Sequence, residues 1–267
     1  MGRIDDTFAR LKRGGKGGFI PFITAGDPDL AATVQLMVEL ANAGADVIEL
    51  GVPFSDPMAD GPVIQRASER ALKHNFGLDK ILEVVVAART TIQTPIVLFS
   101  YYNPLLQYGV KALARDARQA GVDGVLVTDL IPEEAEEFAA ALKANDLNMI
   151  FLVAPTSTDD RLSKIATYAS GFVYAVSRTG VTGARKNLSD EAELLVRRVR
   201  KFSDLPVAVG FGISDAAQVQ QTLTYADAAV VGSAIVSQIE LSSGRPDLVA
   251  EVGQFVRNLV SPEAIRA

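Results

Sequence analysis

The chain has 267 residues, 48% of them hydrophobic, so it can bury a large core within the size of one domain. Its net charge of −6 argues against the clustered basic footprint of a nucleic-acid binder. With no cysteine and one histidine, disulfides, thiolate metal sites and a Ser-His-Asp triad are set aside. No apolar run reaches the roughly 20 residues of a membrane span. Met1 to Lys16 alternates charged and apolar positions and lacks a signal-peptide core. These features suit a cytoplasmic enzyme. The histidine, His74, reads as an exposed helix-end residue.

Short apolar runs alternate with longer helical patterns along the chain. Residues 2–13 suggest an extra helix that caps the floor of the fold. The glycine-rich stretch Arg13 to Gly18 precedes a strand and lacks a Gly-Lys-Ser/Thr ending, so it reads as a connector. The strands are expected at Phe19–Ile23, Val47–Leu50, Ile96–Ser100, Gly124–Val127, Met149–Val153, Phe172–Val176, Val207–Val209 and Ala228–Val231. They are continuously apolar, as parallel strands covered on both faces are. Helices are expected at Asp29–Asn42, Pro132–Ala144, Ser189–Lys201 and Ser214–Thr224, from their Asp, Ser and Pro start signals. Residues 61–73 form another extra helix after the second strand, and one more starts near Ser233 after the eighth. The cues Ala-Gly-Ala-Asp (43–46), Ala-Gly-Val-Asp (120–123) and Tyr-Ala-Asp-Ala (225–228) each precede a strand and mark a repeated unit. The pattern predicts an α/β fold, a (β/α)8 TIM barrel over 1–267 as one domain. An open doubly wound sheet would favour a Gly-x-Gly-x-x-Gly turn after the first strand, and none is there.

Active sites of this fold sit where strands end. Glycines gather there late in the chain: Gly180-Val181-Thr182-Gly183, Gly210-Phe211-Gly212 and Gly232-Ser233. Such turns, with a helix starting near Ser233, suit an anion such as phosphate. They also suit plain tight turns, a balance that is about even for Gly183. Glu49 lies inside an otherwise apolar strand. Burial would raise its pKa and fit it for acid–base work; an outward salt bridge is the alternative. Asp60 closes the proline-rich stretch Gly51 to Pro62. It could stand above the pocket with Asp56, form an ordinary turn, or cap the next helix.

The stretch Glu49-Leu50-Gly51-Val52-Pro53-Phe54-Ser55-Asp56-Pro57-Met58-Ala59-Asp60-Gly61-Pro62 resembles the signature of tryptophan synthase α subunits. Met58, in place of Leu, is the one departure noticed there. Ser177 to Gly183 resembles that family's mobile sixth loop. Phe19 to Pro28, Gly210 to Ile213 and Gly232 to Val236 complete a match from about Phe8 to the last helix. The resemblance implies a lyase that splits indole-3-glycerol phosphate into indole and glyceraldehyde 3-phosphate, a step of tryptophan biosynthesis. It implies Glu49 as proton donor and Asp60 as partner of the indole N–H. Tyr174 would lie beside Glu49 and substrate. Gly183, Gly212, Gly232 and Ser233 would hold phosphate, and Thr182 would close the sixth loop over Asp60. Phe22, Phe99, Leu126, Leu152, Phe211 and Ile213 are candidates for the indole pocket, though each could be ordinary barrel core. No metal or organic cofactor is implied on this chain. A β subunit carrying pyridoxal phosphate is implied as partner in an α2β2 heterotetramer. Docking is expected at Pro53–Pro57, near Asn103-Pro104 and at Asp129–Pro132. A Schiff-base aldolase is the rival, but it needs a lysine at a strand end, and the lysines (12, 16, 73, 80, 111, 143, 164, 186, 201) fall in helices or loops.

Overall fold

The computed structural model describes residues 2–176, 188–210 and 212–260. Eight parallel strands close into a barrel in chain order. They are β1 (Gly18–Thr24), β2 (Ile48–Gly51), β3 (Ile96–Ser100), β4 (Gly124–Val127), β5 (Asn148–Val153), β6 (Val173–Val176), β7 (Val207–Gly210) and β8 (Ala228–Val231). All eight expected strands are present, with ends that shift by a residue or so. The first helices are α1 (Arg3–Arg13), α2 (Leu30–Asn42), α3 (Pro62–Leu72) and α4 (Leu78–Arg89). Then come α5 (Tyr102–Tyr108), α6 (Val110–Ala120), α7 (Glu136–Lys143) and α8 (Asp159–Tyr168). The last are α9 (Leu188–Val199), α10 (Ala216–Leu223), α11 (Ser233–Ser242) and α12 (Leu248–Val260). No helix among the described residues is long and apolar enough to cross a membrane.

Inward and outward strand residues alternate, so two cores form. The outer one lies between the strands and the helix ring and takes residues such as Ile23, Leu50, Leu98 and Val209. The inner one fills the barrel with Ile20, Val47, Val97, Leu126, Ile150, Tyr174, Ala208 and Val230. The amphipathic helix α1 closes the barrel floor by inserting Ile4, Phe8 and Leu11 into that inner core. Phe8 meets Phe172 there with ring centroids 5.6 Å apart.

The repeated Asp cue has a physical reason. Asp46, Asp123 and Asp227 each accept a backbone N–H from the start of the preceding strand: Phe19 N at 3.1 Å, Ile96 N at 2.8 Å and Val207 N at 2.8 Å. Each aspartate is also paired with arginine: Arg10 with Asp46, Arg3 and Arg89 with Asp123, and Arg200 with Asp227. The carboxylates thus satisfy backbone donors where the strands begin.

Two elements differ from expectation. The segment Pro132–Ala144 splits into a 3-10 turn at Pro132–Glu134, closed by Glu134 N donating to Ile131 O, and then α7. The Tyr102-Asn103-Pro104 segment, expected as a loop, opens α5. Proline in a first helical turn loses no hydrogen bond, because that N–H has no intrahelical partner. The extra helices after the second and eighth strands are α3 and α11.

Candidate active site

A cavity of about 260 Å3 opens at the C-terminal end of the barrel, close to the lower end of the roughly 300–1,000 Å3 of small-molecule sites. Its apolar wall is built from Phe22 (β1), Ile64 (α3), Phe99 (β3) and Val230 (β8). The rings of Phe22 and Phe99 meet edge to face, 5.2 Å between centroids at 76°. Gly51 makes room for this pair, since a Cβ there would lie 2.5 Å from the Phe22 ring.

Glu49 projects into this space from β2, paired in register with Phe22 on β1 and Val97 on β3. It is 1% exposed, and among the described residues its Oε1 has no hydrogen-bond partner. Burial pushes its pKa up to about 8, so the side chain holds its proton at neutral pH. Glu49 thus lines the cavity, and among the described residues it has no salt bridge. Tyr174 also lines the cavity and is buried; burial and then the nearby Glu49 raise its pKa, so its phenol stays protonated. Gly210 leaves space for that ring, because a Cβ there would collide with the Tyr174 hydroxyl.

Asp60 faces Glu49's cavity from the end of the β2–α3 loop. Burial, partly offset by a hydrogen bond from Tyr101, raises its pKa to about 6. It does not cap α3: the N-cap is Gly61, with no side-chain bond. The loop is held by its neighbours. Tyr101 Oη accepts from Ala59 N at 2.8 Å, and Gln65 Nε2 donates to Asp60 O at 2.9 Å. Phe54 packs on Tyr101 at 5.2 Å. Tyr101 was missed in the sequence because it stands just past a strand end, in a stretch read as loop.

On the far side lie Gly212, Ile213, Ser214, Gly232, Ser233, Ala234 and Ser237. Gly212 has φ +79°, a conformation that favours glycine. Two helices start here, and they differ. The start of α10 is occupied by its own side chains: Asp215 accepts from Gln218 N at 2.8 Å, and Gln218 Oε1 accepts from Ser214 N at 2.7 Å. No side chain caps α11, whose N-cap is Gly232. Its first-turn N–H groups and positive dipole end are open to an anion.

The structure thus brings together Phe22, Glu49, Asp60, Tyr174, Gly212, Gly232 and Ser233, along with Phe99 and Ile213. Ile64, Ser214, Ala234 and Ser237 join them, one helical turn or one residue beyond the glycine motifs that flagged the region. Leu126 and Leu152 pack with the inner barrel core and do not line the cavity. Thr182, Gly183 and Phe211 lie outside the described residues. His74 is exposed just past α3, with Nε2 2.6 Å from Pro28 O. Every described lysine lies outside the strands, and Lys186 lies outside the described residues.

Residues 8–261 match the family model described as tryptophan synthase alpha chain. The chain belongs to the tryptophan synthase alpha chain family. The tryptophan synthase alpha chain of Geotalea daltonii is 54% identical over 245 residues, covering 92% of this chain and 93% of that one. That of Geobacter sulfurreducens is 52% identical, covering 98% and 97%. Among solved structures, tryptophan synthase subunit alpha from Legionella pneumophila superposes with a TM-score of 0.90 at 40% identity, covering 97% of each chain. A Mycobacterium tuberculosis tryptophan synthase structure gives 0.86 at 41%, covering 97% and 98%. The family activity is that of a lyase: cleavage of indole-3-glycerol phosphate in tryptophan biosynthesis.

Proposed function

We propose that Glu49 and Asp60 divide the acid and charge-stabilising work of this cleavage, and that the start of α11 anchors the substrate's phosphate. Indole is a poor leaving group as a C3 carbanion. Protonating C3 gives an indoleninium, which accepts the electron pair of the breaking C3–C1′ bond. Glu49 supplies that proton. Its carboxylate, or a water beside it, then takes the proton of the C1′ hydroxyl, whose oxygen becomes the aldehyde of glyceraldehyde 3-phosphate. Indole leaves as the second product, and the proton count closes. Asp60 in its ionised form accepts from the indole N–H and stabilises the positive charge that develops on nitrogen. Tyr174 lies against Glu49 and the substrate. The ring sits between Phe22 and Phe99, and Gly212, Gly232 and Ser233 border the phosphate. Thr182, Gly183 and Phe211 complete the set as members of the sixth and seventh loops.

The observation that carries this reading is the pairing of environments. One carboxyl is buried, its Oε1 without a hydrogen-bond partner among the described residues, and keeps its proton to about pH 8. The other, across the same cavity, ionises near pH 6 with Tyr101 as donor. Separated pKa values of this kind assign acid and base roles. Indole release by Glu49→Gln tests it: turnover should vanish while a substrate analogue that cannot undergo cleavage still binds. Near-normal turnover would remove Glu49 from the mechanism.

Indole is apolar and would escape, which favours handing it directly to a second active site. The partner is a β subunit that carries pyridoxal phosphate, in a cytoplasmic α2β2 heterotetramer; this chain needs no cofactor of its own. The three expected docking segments are contiguous, which supports this assembly. Phe54 packs on Tyr101, and Tyr102 N donates to Asp129 Oδ1 at 2.7 Å. Met58, 92% exposed, projects from the same loop. Co-elution with the β subunit on size exclusion, with faster indole production, is the expected result; separate elution would remove the partner.

A further inference from the structure

Asp60 sits at the entrance to α3, and the open anion-binding end belongs to α11. These two helices are far apart in sequence and joined in space by two layers. The upper layer is apolar: Phe22, Ile64, Ala67 and Val236. The lower layer is a chain of charges that lines no part of the cavity. Arg70 on α3 forks onto Asp27, with Nε to Oδ1 and Nη2 to Oδ2 both 2.8 Å. Its remaining nitrogen, Nη1, reaches Glu240 Oε1 on α11 at 2.7 Å. Arg66, one turn earlier on α3, forks onto the same Glu240 at 2.8 and 2.7 Å. The Asp27 side chain is fully buried and Arg70 is 22% exposed, whereas Arg66 is 47% exposed. The inner half of the chain is therefore desolvated and geometrically fixed, and the outer half is weak. Arg70 uses all its faces: it ties the β1–α2 turn, α3 and α11 together.

We infer that Arg70 and Glu240 are positioning residues that set the separation between Asp60 and the phosphate-anchoring end of α11. This rests on the roles given above to Asp60 and α11. A substrate held by its phosphate at one helix and by its indole N–H at the other spans the gap between them. A misplacement of about 1 Å in such an arrangement costs roughly 100-fold in rate. Glu240 lies two turns below Ser233, so a shift of α11 at Glu240 is transmitted along a rigid helix to the anion site.

The experiment compares kcat/KM for indole-3-glycerol phosphate and for indole-3-glycerol, which lacks the phosphate. Glu240→Gln leaves the Arg70–Asp27 fork intact and is the primary variant; Arg70→Met is the second, and Arg66→Met the outer control. Glu240→Gln and Arg70→Met should lower kcat/KM for the phosphorylated substrate by about 30-fold or more. Cleavage of indole-3-glycerol should change by less than about 3-fold, because that substrate is anchored at one end only. Arg66→Met should leave both nearly unchanged. Equal losses for the two substrates in Glu240→Gln would mark a merely structural role and overturn the inference, as would no loss for either. A wild-type enzyme indifferent to the phosphate would instead overturn the α11 anchor itself.

Discussion

Two buried carboxylates at opposite ends of the barrel, Asp123 and Glu49, are treated in opposite ways. At the floor, Asp123 is 4% exposed and fully satisfied: Ile96 N, Arg3 and Arg89 all reach it within 2.8 Å. At the top, Glu49 is 1% exposed and its Oε1 has no hydrogen-bond partner among the described residues. A charge buried without partners costs several kcal/mol, so the two sites answer that cost differently. Asp123 is held among donors. Glu49 keeps its proton instead, with its pKa near 8. The floor spends its polar groups on closing the barrel; the top leaves one unsatisfied where a substrate can use it.

The sharpest way to break this contrast is Glu49→Gln. Removing a general acid typically costs 100- to 10,000-fold, and the upper end, about 10,000-fold in kcat, is expected here. The same variant should reverse the usual direction in stability. Glu49's folded pKa, about 8, lies above its ordinary 4.5. The stability contributed by the protonated form is fully present below pH 4.5 and is lost as pH rises toward 8. The loss is on the order of 5 kcal/mol, by about 1.4 kcal/mol per pKa unit. Urea unfolding should therefore find Glu49→Gln close to wild type at pH 4 and more stable at pH 9. Equal stability of the two proteins at pH 9 would sink the unpaired-carboxyl account.

Asp123→Ala should do the converse. It strands the Arg89 guanidinium, 10% exposed, and the Ile96 N–H at the barrel floor. About 3 kcal/mol of stability should disappear, read as a lower urea midpoint. The kcat and KM of the folded variant should stay within about 2-fold of wild type, because distant sites that share no partner usually act independently. A large kcat change in a folded Asp123→Ala would merge the two ends that the comparison separates.

Much of this contrast was legible in the sequence. Parallel strands buried on both faces leave apolar runs, so all eight strands could be read, and Glu49 stood out as the charge inside one of them. The aspartates before strands appeared as a repeat before their backbone partners were known. The glycines after the last strands marked the anion side. Other parts depend on contacts between segments far apart in the chain. Nothing local to Glu49 says which way its side chain faces; the register with Phe22 and Val97 decides that. Which of two neighbouring helix starts is open was also hidden, since Gln218 and Asp215 close α10 with bonds that only the fold reveals. Pro104 disguised the start of α5 as a loop, and with it the place of Tyr101. Leu126 and Leu152 look like pocket residues by composition, yet they pack into the inner core, although they pair in register with the cavity residues Phe99 and Tyr174.

The pH profile of the cleavage joins both top carboxyls in one measurement. Asp60 must be ionised and Glu49 protonated, so kcat/KM should rise through about pH 6 and fall through about pH 8. Each limb should approach 10-fold per pH unit. A flat profile from pH 5 to 9 would count against both assignments. Asp60→Asn should erase the acid limb and leave the alkaline one.

Tyr101→Phe is the finest probe. The phenol donates to Asp60 and accepts from Ala59 N, so its loss touches both the charge and the position of the Asp60 loop. Its hydrogen bond is what lowers the Asp60 pKa against burial. Without it the acid limb should move upward from about pH 6, narrowing the bell while the alkaline limb stays in place. A hydrogen bond to a charged group contributes about 1.5–3 kcal/mol, so a loss of about 10-fold in kcat/KM at neutral pH is the lower end of expectation. The loss should shrink as pH rises above neutrality, where the ionised fraction of Asp60 in the variant approaches that of wild type. A drop of equal size at every pH would assign Tyr101 to holding the loop through Ala59 alone, and would leave burial as the only control on Asp60.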